Sequence, residues 1–210
     1  MLEARNISKS YKNKKVLDNF SIIAKDGGIT SILGKSGIGK TTLAMILCLH
    51  ESADEGSILL NGEDLLALGK KEKLKRRRKI QLIFQNPLSS FDPLWSIKRS
   101  LLEGAEDKQK AEAKIYELTE SLGIGYINIE ARPDKLSGGE IQRLAIIRAL
   151  LAEPDVIVAD EITSSMDSIN RKAVLDMLKT IKKNAAIIFI THDRDAAEYI
   201  SDAIVEIKEN

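Results

Sequence analysis

A glycine-rich segment near the N-terminus has the residue types and spacing that bind a phosphate chain. Residues 34–41 read Gly-Lys-Ser-Gly-Ile-Gly-Lys-Thr and match the pattern G-x-x-x-x-G-K-[ST] at every fixed position. Glycines let the backbone wrap phosphate oxygens with inward-pointing N–H groups, at the positive end of the following helix. The Lys40 ammonium can then reach the β- and γ-phosphates, and the Thr41 hydroxyl can ligate Mg²⁺. We therefore predict a nucleotide site formed by Gly34, Lys35, Ser36, Gly37, Ile38, Gly39, Lys40, Thr41 and Thr42.

Two adjacent carboxylates follow an apolar run much later in the chain. Asp160 and Glu161 come directly after Val-Ile-Val-Ala at residues 156–159. Acidic residues at the carboxyl end of a parallel strand lie at the usual ligand edge of such sheets. Asp160 could hold Mg²⁺, and Glu161 could polarise the attacking water as a general base. Acidic residues also follow strands as ordinary helix caps, but the phosphate loop favours the catalytic interpretation.

A second glycine pair, in Leu-Ser-Gly-Gly-Glu at residues 136–140, is placed at the start of a predicted helix. Ser137 is the predicted N-cap, and Leu144, Ile147 and Leu151 form the apolar face of the helix. Glycines at a helix start leave N–H groups uncovered, which makes a second anion site. An ordinary capped helix is the alternative interpretation.

Strands alternating with helices must position these groups. Residues 29–33 predict a short strand before the glycine loop, and residues 41–49 predict an apolar helix behind it. Residues 155–159 and 185–190 are apolar on both faces, which is typical of buried parallel strands. Residues 168–183 between them place Val174, Leu178 and Ile181 on one helical face. The pattern predicts an α/β fold with a mostly parallel central sheet.

The flanking regions differ from this core. Residues 2–8 and 16–24 predict antiparallel strands around a Lys/Asn turn. Residues 107–122 carry the apolar stripe of a helix that Gly123 can cap, and about 95–150 is predicted to be a helical insertion. We expect one domain over residues 1–210, with a nucleotide-binding core and β subdomain at 1–94 and 152–210 and a helical subdomain at about 95–151.

Composition narrows the functional classes. The 210 residues carry 32 Lys+Arg and 31 Asp+Glu, so the formal net charge of +1 gives no electrostatic reason to expect nucleic acid as a partner. Cys48, the single cysteine, excludes an intramolecular disulfide or a cysteine-rich metal cluster and is predicted to be buried. The first residues show no apolar signal region, and no run approaches the roughly 18 to 20 apolar residues that cross a bilayer. We expect a cytoplasmic protein whose membrane connection goes through a partner.

The order of these motifs resembles the ATP-binding cassette (ABC) ATPases, from Met1 to about Ile207. The resemblance implies a P-loop NTPase fold, ATP and Mg²⁺ as ligands, and a dimer that sandwiches two ATP molecules. By position, Tyr11 matches the aromatic residue that stacks on adenine, and Asp167 matches the acidic end of the D-loop between subunits. Gln85 matches the glutamine that senses Mg²⁺ and the permease, and His192 matches the switch histidine at the γ-phosphate. Ser137, Gly138 and Gly139 match the signature that closes on the partner's ATP.

Three departures from the family pattern are visible. Glu140 stands where glutamine is commonest, Ile162 replaces a proline, and residues 164–167 read Ser-Ser-Met-Asp instead of Ser-Ala-Leu-Asp. None of these changes removes a catalytic group, so we expect ATP hydrolysis. A module that binds ATP without hydrolysis is the less favoured alternative, because Glu161 and His192 are both present.

The segment at residues 84–95, Phe-Gln-Asn-Pro-Leu-Ser-Ser-Phe-Asp-Pro-Leu-Trp, resembles the peptide/nickel importer branch of the family. Its two prolines and apolar residues favour a docking pocket for a permease helix, and a packed loop with Trp95 in the core is the alternative. Members of that branch usually run on past this chain's end at Asn210, so we expect features housed there to be missing. Peptides, nickel and chelated metals remain open as cargo.

The predicted partners are a second ABC ATPase subunit, identical or different, integral membrane permease subunits and a solute-binding protein. The predicted location is the cytoplasmic face of the cell membrane, through the permease. An exporter ATPase and a non-transport ABC ATPase of translation or DNA repair are the rival functions. The basic run at residues 70–79 is predicted to be a solvated helical face, ahead of lipid headgroup or nucleic-acid contact.

Overall fold

The computed structural model describes residues 1–12, 14–164 and 166–208. Asn13 of the predicted turn, Ser165 of the D-loop and the terminal Asn210 lie outside the described residues. The strands are β1 (Leu2–Tyr11), β2 (Lys14–Ala24), β3 (Ile29–Leu33), β4 (Glu55–Leu60), β5 (Glu63–Asp64), β6 (Ile80–Ile83), β7 (Val156–Asp160), β8 (Ala186–Thr191) and β9 (Ala203–Glu206). The α-helices are α1 (Lys40–Leu47), α2 (Lys70–Arg77), α3 (Ile97–Leu102), α4 (Lys108–Ser121), α5 (Gly138–Leu151), α6 (Ser168–Ile181) and α7 (Arg194–Ile200).

Two sheets form the framework. The antiparallel sheet has the strand order β2-β1-β4-β5, and the parallel sheet has the order β6-β7-β8-β3-β9. β3, β7 and β8 are buried along their whole length. This arrangement confirms the predicted α/β fold with a mostly parallel central sheet and an N-terminal antiparallel sheet.

The parallel strands are apolar on both faces because both faces are covered. Ile157 and Ala159 of β7 face one apolar cluster, which takes in residues of α3 to α7. Val156 and Val158 face the other cluster, which joins α1 to the antiparallel sheet. Alternate residues of a strand point to opposite faces, so one short strand feeds two cores. Cys48 is buried in the second cluster, as predicted.

The described segment between Ile97 and Leu151 contains helices and no strand. In α4, Asp107 caps the first turn, Ala111 and Ile115 are buried, and Gly123 follows the helix with a φ of +67°. The apolar residues of this region share a cluster with one face of the parallel sheet. The division into subdomains at about 95 and 151 stays a prediction.

Helix α2 occupies most of the basic run, and none of its residues is buried. Lys75 and Arg76 pair with Glu72 and Glu63, at 3.1 and 2.7 Å. Among the helices that the structure describes, none is both long and apolar enough to span a bilayer.

Candidate functional site

The predicted chemical groups converge at one edge of the parallel sheet. Gly34 follows β3, Glu161 follows β7 and His192 follows β8, and these strands run in the same direction as neighbours. Their carboxyl ends therefore open on a shared cleft of about 680 Å³. The cleft is lined by Leu33, Gly34, Lys35, Ser36, Gln85, Glu161, Ser164, His192, Arg194, Glu206 and Ile207.

The phosphate loop has a backbone that requires glycine at two positions. Gly37 and Gly39 have φ values of +79° and +106°, in the region that favours glycine. A Cβ on Gly39 would also lie 2.6 Å from Cγ1 of Val16 on β2. Helix α1 begins directly after Gly39, and no side chain caps its first turn. The loop thus delivers uncapped helical N–H groups, which suit an anionic ligand.

Lys40 and Glu161 form a nearly buried ion pair. The Lys40 Nζ lies 2.9 Å from Glu161 Oε1 and donates to the carbonyls of Gly34 and Lys35 at 2.8 and 2.7 Å. The other carboxylate oxygen of Glu161, Oε2, lies 2.7 Å from His192 Nδ1. Both oxygens of the predicted base are therefore held by nitrogen atoms, one from the first residue of α1 and one from the residue after β8.

The electrostatics of Glu161 keep its carboxylate ionised. Burial acts to raise its pKa, but the hydrogen bonds and charges of Lys40 and His192 outweigh burial, so the pKa lies below its usual value. The backbone of Glu161 is also unusual, with a φ of +51°. Its N–H donates to the carbonyl of Ile190 on β8 at 2.9 Å. An ionised carboxylate in this position can accept a proton.

Asp160 is buried at the end of β7, with 3% of its surface exposed. Burial raises its pKa, the nearby Thr41 hydroxyl acts to lower it, and the Oδ1 atom of Asp160 has no hydrogen-bond partner. A buried oxygen without a partner beside a threonine hydroxyl is the donor chemistry that Mg²⁺ uses together with water and phosphate. No group of three His, Cys, Asp or Glu residues in the described part of the chain forms a metal cage of its own. The residues present fit a magnesium ion shared with a phosphate ligand.

Gln85 joins the site through Ser164, a residue for which no role of its own is predicted from the sequence. Gln85 Nε2 donates to Ser164 Oγ at 3.1 Å, and Ser164 Oγ donates to the carbonyl of Glu161 at 2.9 Å. The sequence signal that could have identified Ser164 is its position three residues after Glu161, because a turn there brings its side chain back to the Glu161 carbonyl.

The signature lies outside this cleft. Ser137 is the N-cap of α5, as predicted, and forms a capping box with Glu140. Glu140 Oε2 accepts from the Ser137 N–H and hydroxyl at 2.8 and 2.7 Å, and Tyr126 donates its hydroxyl to Oε1 at 2.9 Å. The hydrogen bonds from the side chain and backbone of Ser137, then that from Tyr126, lower the pKa of Glu140. Ser137, Gly138 and Gly139 do not line the cleft that holds the phosphate loop.

Tyr11 and Asp167 also lie outside the lining of the cleft. Tyr11 is 43% exposed at the end of β1, donates its hydroxyl to Glu51, and has the Lys9 ammonium 5.5 Å from its ring centroid. Asp167 is the N-cap of α6 and accepts from the N–H groups of Ile169 and Asn170, each at 3.0 Å.

The segment at residues 84–95 is partly exposed. Leu88 and Leu94 are 51% and 74% exposed, whereas Phe91 is buried. Trp95 is half-buried, with the Arg99 guanidinium 3.9 Å from its ring centroid. A second cleft of about 730 Å³ lies here, and Leu74 of α2, Phe84, Phe91 and Arg148 of α5 are among its lining residues.

A strand, a glycine loop and a helix with a buried lysine, beside a paired Asp-Glu at a neighbouring strand end, define a P-loop nucleoside triphosphatase. The particular family follows from sequence comparison. The family described as ABC transporter matches residues 17–164, and this chain belongs to it. The resemblance of the ordered motifs to the ABC ATPases is thereby confirmed.

Two curated relatives are importer subunits. The methionine import ATP-binding protein MetN of Haemophilus ducreyi is 35% identical over 215 residues, which cover 99% of this chain and 62% of that protein. The nickel import ATP-binding protein NikE of Escherichia coli is 34% identical over 193 residues, covering 89% of this chain and 72% of NikE. The chain thus spans about three fifths of the length of the MetN relatives it matches.

A solved structure agrees in fold. The dimeric, post-hydrolysis structure of the ATP-binding cassette MJ0796 bound to ADP and Pi superimposes with a TM-score of 0.83 at 27% identity. The match covers 99% of this chain and 94% of MJ0796. The architecture is therefore that of an ABC cassette.

Proposed function

We propose that this chain is the ATP-binding and ATP-hydrolysing subunit of an importer, which powers solute uptake through a membrane permease. The observation that carries the ATPase part is the contact of Lys40 and His192 with the two carboxylate oxygens of Glu161 beside the phosphate loop. The similarity to MetN and NikE supports import over export. Because those relatives are named for methionine and nickel, we propose a small solute, with the peptide, nickel and chelated-metal class as the first candidates.

The residues of the cleft divide the chemistry between them. Lys40 and the N–H groups of residues 34–42 would bind the phosphates, and Thr41, Asp160 and Gln85 would hold Mg²⁺. When bound, this cation supplies positive charge that offsets the developing negative charge on the phosphate oxygens. Glu161 would accept the proton of the attacking water as the general base. His192 would hold the second oxygen of Glu161 and contact the γ-phosphate.

One chain supplies only part of this site. Ser137, Gly138 and Gly139 lie away from the cleft of their own chain, so we propose that a second ATPase subunit brings its signature to the γ-phosphate. Asp167 would lie between the two subunits, and Tyr11 would stack on adenine. The dimeric structure of MJ0796 supports this arrangement.

The permease contact is proposed at the second cleft. Ser89, Ser90 and Phe91 of the segment at residues 85–95 line the cleft. Outside the lining, the exposed Leu88 and Leu94 and the half-buried Trp95 add apolar surface for a short permease helix. Through such a contact the chain would act as a peripheral subunit at the cytoplasmic face of the cell membrane, together with a solute-binding protein in the complete system.

Glu161→Gln tests the assignment of the base. In the transporter reconstituted with its permease, this variant should release no phosphate above background, because an amide cannot accept the water's proton, while ATP-dependent dimerisation is kept. Glu117→Gln, an exposed change on α4, is the matched control and should turn over like wild type. Turnover by Glu161→Gln close to wild type would remove Glu161 from its role. Cargo uptake into vesicles tests import, and efflux would instead identify an exporter.

A further inference from the structure

A hydrogen-bonded path crosses the wall of the cleft from the proposed docking segment to the proposed base. Gln85 Nε2 donates to Ser164 Oγ at 3.1 Å, and the same hydroxyl donates to the carbonyl of Glu161 at 2.9 Å. A hydroxyl can accept one hydrogen bond while it donates another, so serine fits the centre of this path. All three residues line the cleft.

The carbonyl at the end of the path belongs to a strained residue. Glu161 has a φ of +51°, a left-handed conformation that is unfavourable for a residue with a Cβ. β7 ends at Asp160, so Glu161 is the first residue outside the strand. Its N–H donates to Ile190, and its carbonyl accepts from both the N–H and the hydroxyl of Ser164, at 3.1 and 2.9 Å. Such a conformation persists only where the surroundings hold it, and Ser164 supplies two of these three bonds.

The conformation of Glu161 sets the direction of its carboxylate. With φ near +51°, Oε1 meets Lys40 and Oε2 meets His192. Relaxation of this backbone would rotate the carboxylate away from one or both partners. The Ser164 hydroxyl therefore acts on the carboxylate through the backbone, without touching it.

We propose that Ser164 is a positioning residue, whose hydroxyl holds the backbone of the general base and connects it to Gln85. The inference rests on the proposed function and adds a positioning role for Ser164 to it.

Ser164→Ala removes the hydroxyl and leaves the backbone N–H bond in place. We expect kcat for ATP hydrolysis by the full chain to fall about tenfold with no rise in KM for ATP, because the phosphate-binding groups keep their positions. Ser164→Thr restores a hydroxyl and should recover most of kcat. The matched control is Ser121→Ala on α4, where another serine hydroxyl donates to a carbonyl three residues back, at 2.9 Å. A Ser164→Ala enzyme within twofold of wild type would overturn the inference.

A double-mutant cycle tests the connection to Gln85. We expect the loss caused by Ser164→Ala to be smaller in a Gln85→Ala background than in the wild type, because the Ser164 hydroxyl has then already lost the donor that orients it. If the two losses multiply, Ser164 does not act with Gln85 and the connection is wrong.

Hydrogen–deuterium exchange provides a readout that needs no turnover. We expect the amides of residues 161–164 to exchange faster in Ser164→Ala and in Gln85→Ala, and at the wild-type rate in Ser121→Ala. Unchanged exchange in the first two variants would refute the path even if the chain hydrolyses ATP. Faster exchange in a chain without ATPase activity would support the path and count against the proposed function instead.

Discussion

Replacing Glu161 by glutamine should tighten nucleotide binding, in addition to stopping turnover. The Lys40 ammonium has three N–H donors, and in the structure three acceptors surround it: two loop carbonyls and Glu161 Oε1. A phosphate oxygen must therefore displace at least one of them before it can bind this lysine. Glutamine keeps the shape of the side chain but offers a neutral acceptor, which is easier to displace.

The size of the effect follows from the charge of the displaced group. Hydrogen bonds to a charged group such as Lys40 contribute about 1.5 to 3 kcal/mol, and we place the bond to an ionised carboxylate near the top of this range and the bond to a neutral amide near the bottom. The difference of roughly 1 to 1.5 kcal/mol corresponds to about a five- to tenfold change in Kd. Lys40 and Glu161 are only 5% and 12% exposed, so salt should screen this pair little. Loss of the repulsion between Glu161 and the phosphates acts in the same direction.

Isothermal titration calorimetry with ADP measures this affinity without turnover. His192→Ala is the informative control, because it removes the other partner of Glu161 and leaves the pair with Lys40 intact. We expect Glu161→Gln to bind ADP five- to tenfold more tightly than wild type and His192→Ala to show no gain. An affinity of Glu161→Gln equal to or weaker than that of wild type would refute the idea that Glu161 competes with phosphate for Lys40.

Three further predictions concern the phosphate loop, the proposed metal ligand and a surface ion pair. Gly39→Ala should lower the free energy of unfolding by about 1 to 3 kcal/mol in urea titrations, because its φ is +106° and its Cβ would meet Val16. Asp160→Asn should raise the Mg²⁺ concentration for half-maximal ATPase activity at least about tenfold and leave the melting temperature unchanged or higher, since it removes a buried charge with an unpartnered oxygen. The pKa of Glu153 is lowered to about 2, and the hydrogen bond from Lys114 is the largest cause. Because the pKa of Glu153 is lower in the folded state, its ion pairs stabilise the fold above about pH 4.5, and this stabilisation is lost as pH falls toward 2. Lys114→Gln should therefore be less stable than wild type at pH 7, and the difference should vanish near pH 2.

Each of these predictions has a control within the chain. Gly104→Ala places a Cβ 3.9 Å from its nearest neighbour, the Cβ of Ala152, at a residue without positive φ, and should leave stability nearly unchanged. Equal stability of the Gly39 and Gly104 variants would contradict the argument from φ. An unchanged Mg²⁺ requirement in Asp160→Asn would exclude that carboxylate as a metal ligand. For the ion pair, Lys172→Gln on α6 provides an exposed control of the same charge change, and an equal pH dependence in both variants would exclude Glu153 as the cause.

The phosphate loop and the cap of α5 were predictable because their signals are local. Eight consecutive residues specify the loop, and Ser137 with Glu140 specifies the capping box that the structure contains. The buried strands β7 and β8 were predictable for a similar reason, since continuous apolar runs are typical of covered parallel strands.

Short or exposed strands were not predictable in the same way. β6 has four residues directly after the basic run, and β9 has the pattern Ala-Ile-Val-Glu at an exposed sheet edge. Neither shows a run or alternation long enough to identify it. Their pairing partners, β7 and β3, are distant in sequence, and tertiary context decides such segments.

Contacts within the site were the least accessible to sequence reasoning. Lys40 and Glu161 are separated by 121 positions, and no local pattern states that they pair. The positive φ of Glu161 was not predictable either, because the family pattern has a proline after this glutamate and this chain has Ile162 instead. A proline disfavours helical φ/ψ values in the residue before it. Ile162 leaves the Glu161 backbone free of that restriction.

The strand order β6-β7-β8-β3 gives the cleft a fixed scale of distance. Adjacent strands lie about 4.8 Å apart, and this spacing is set by backbone hydrogen bonds, which do not depend on side-chain identity. Gln85, Glu161, His192 and Gly34 each follow one of these strands, so their lateral separations are multiples of one backbone constant. Substitutions inside the two apolar cores can therefore accumulate while the spacing of the reacting groups is preserved. The tolerance of this chemistry to sequence divergence lies in the sheet, and its vulnerability lies in the one or two residues that follow each strand.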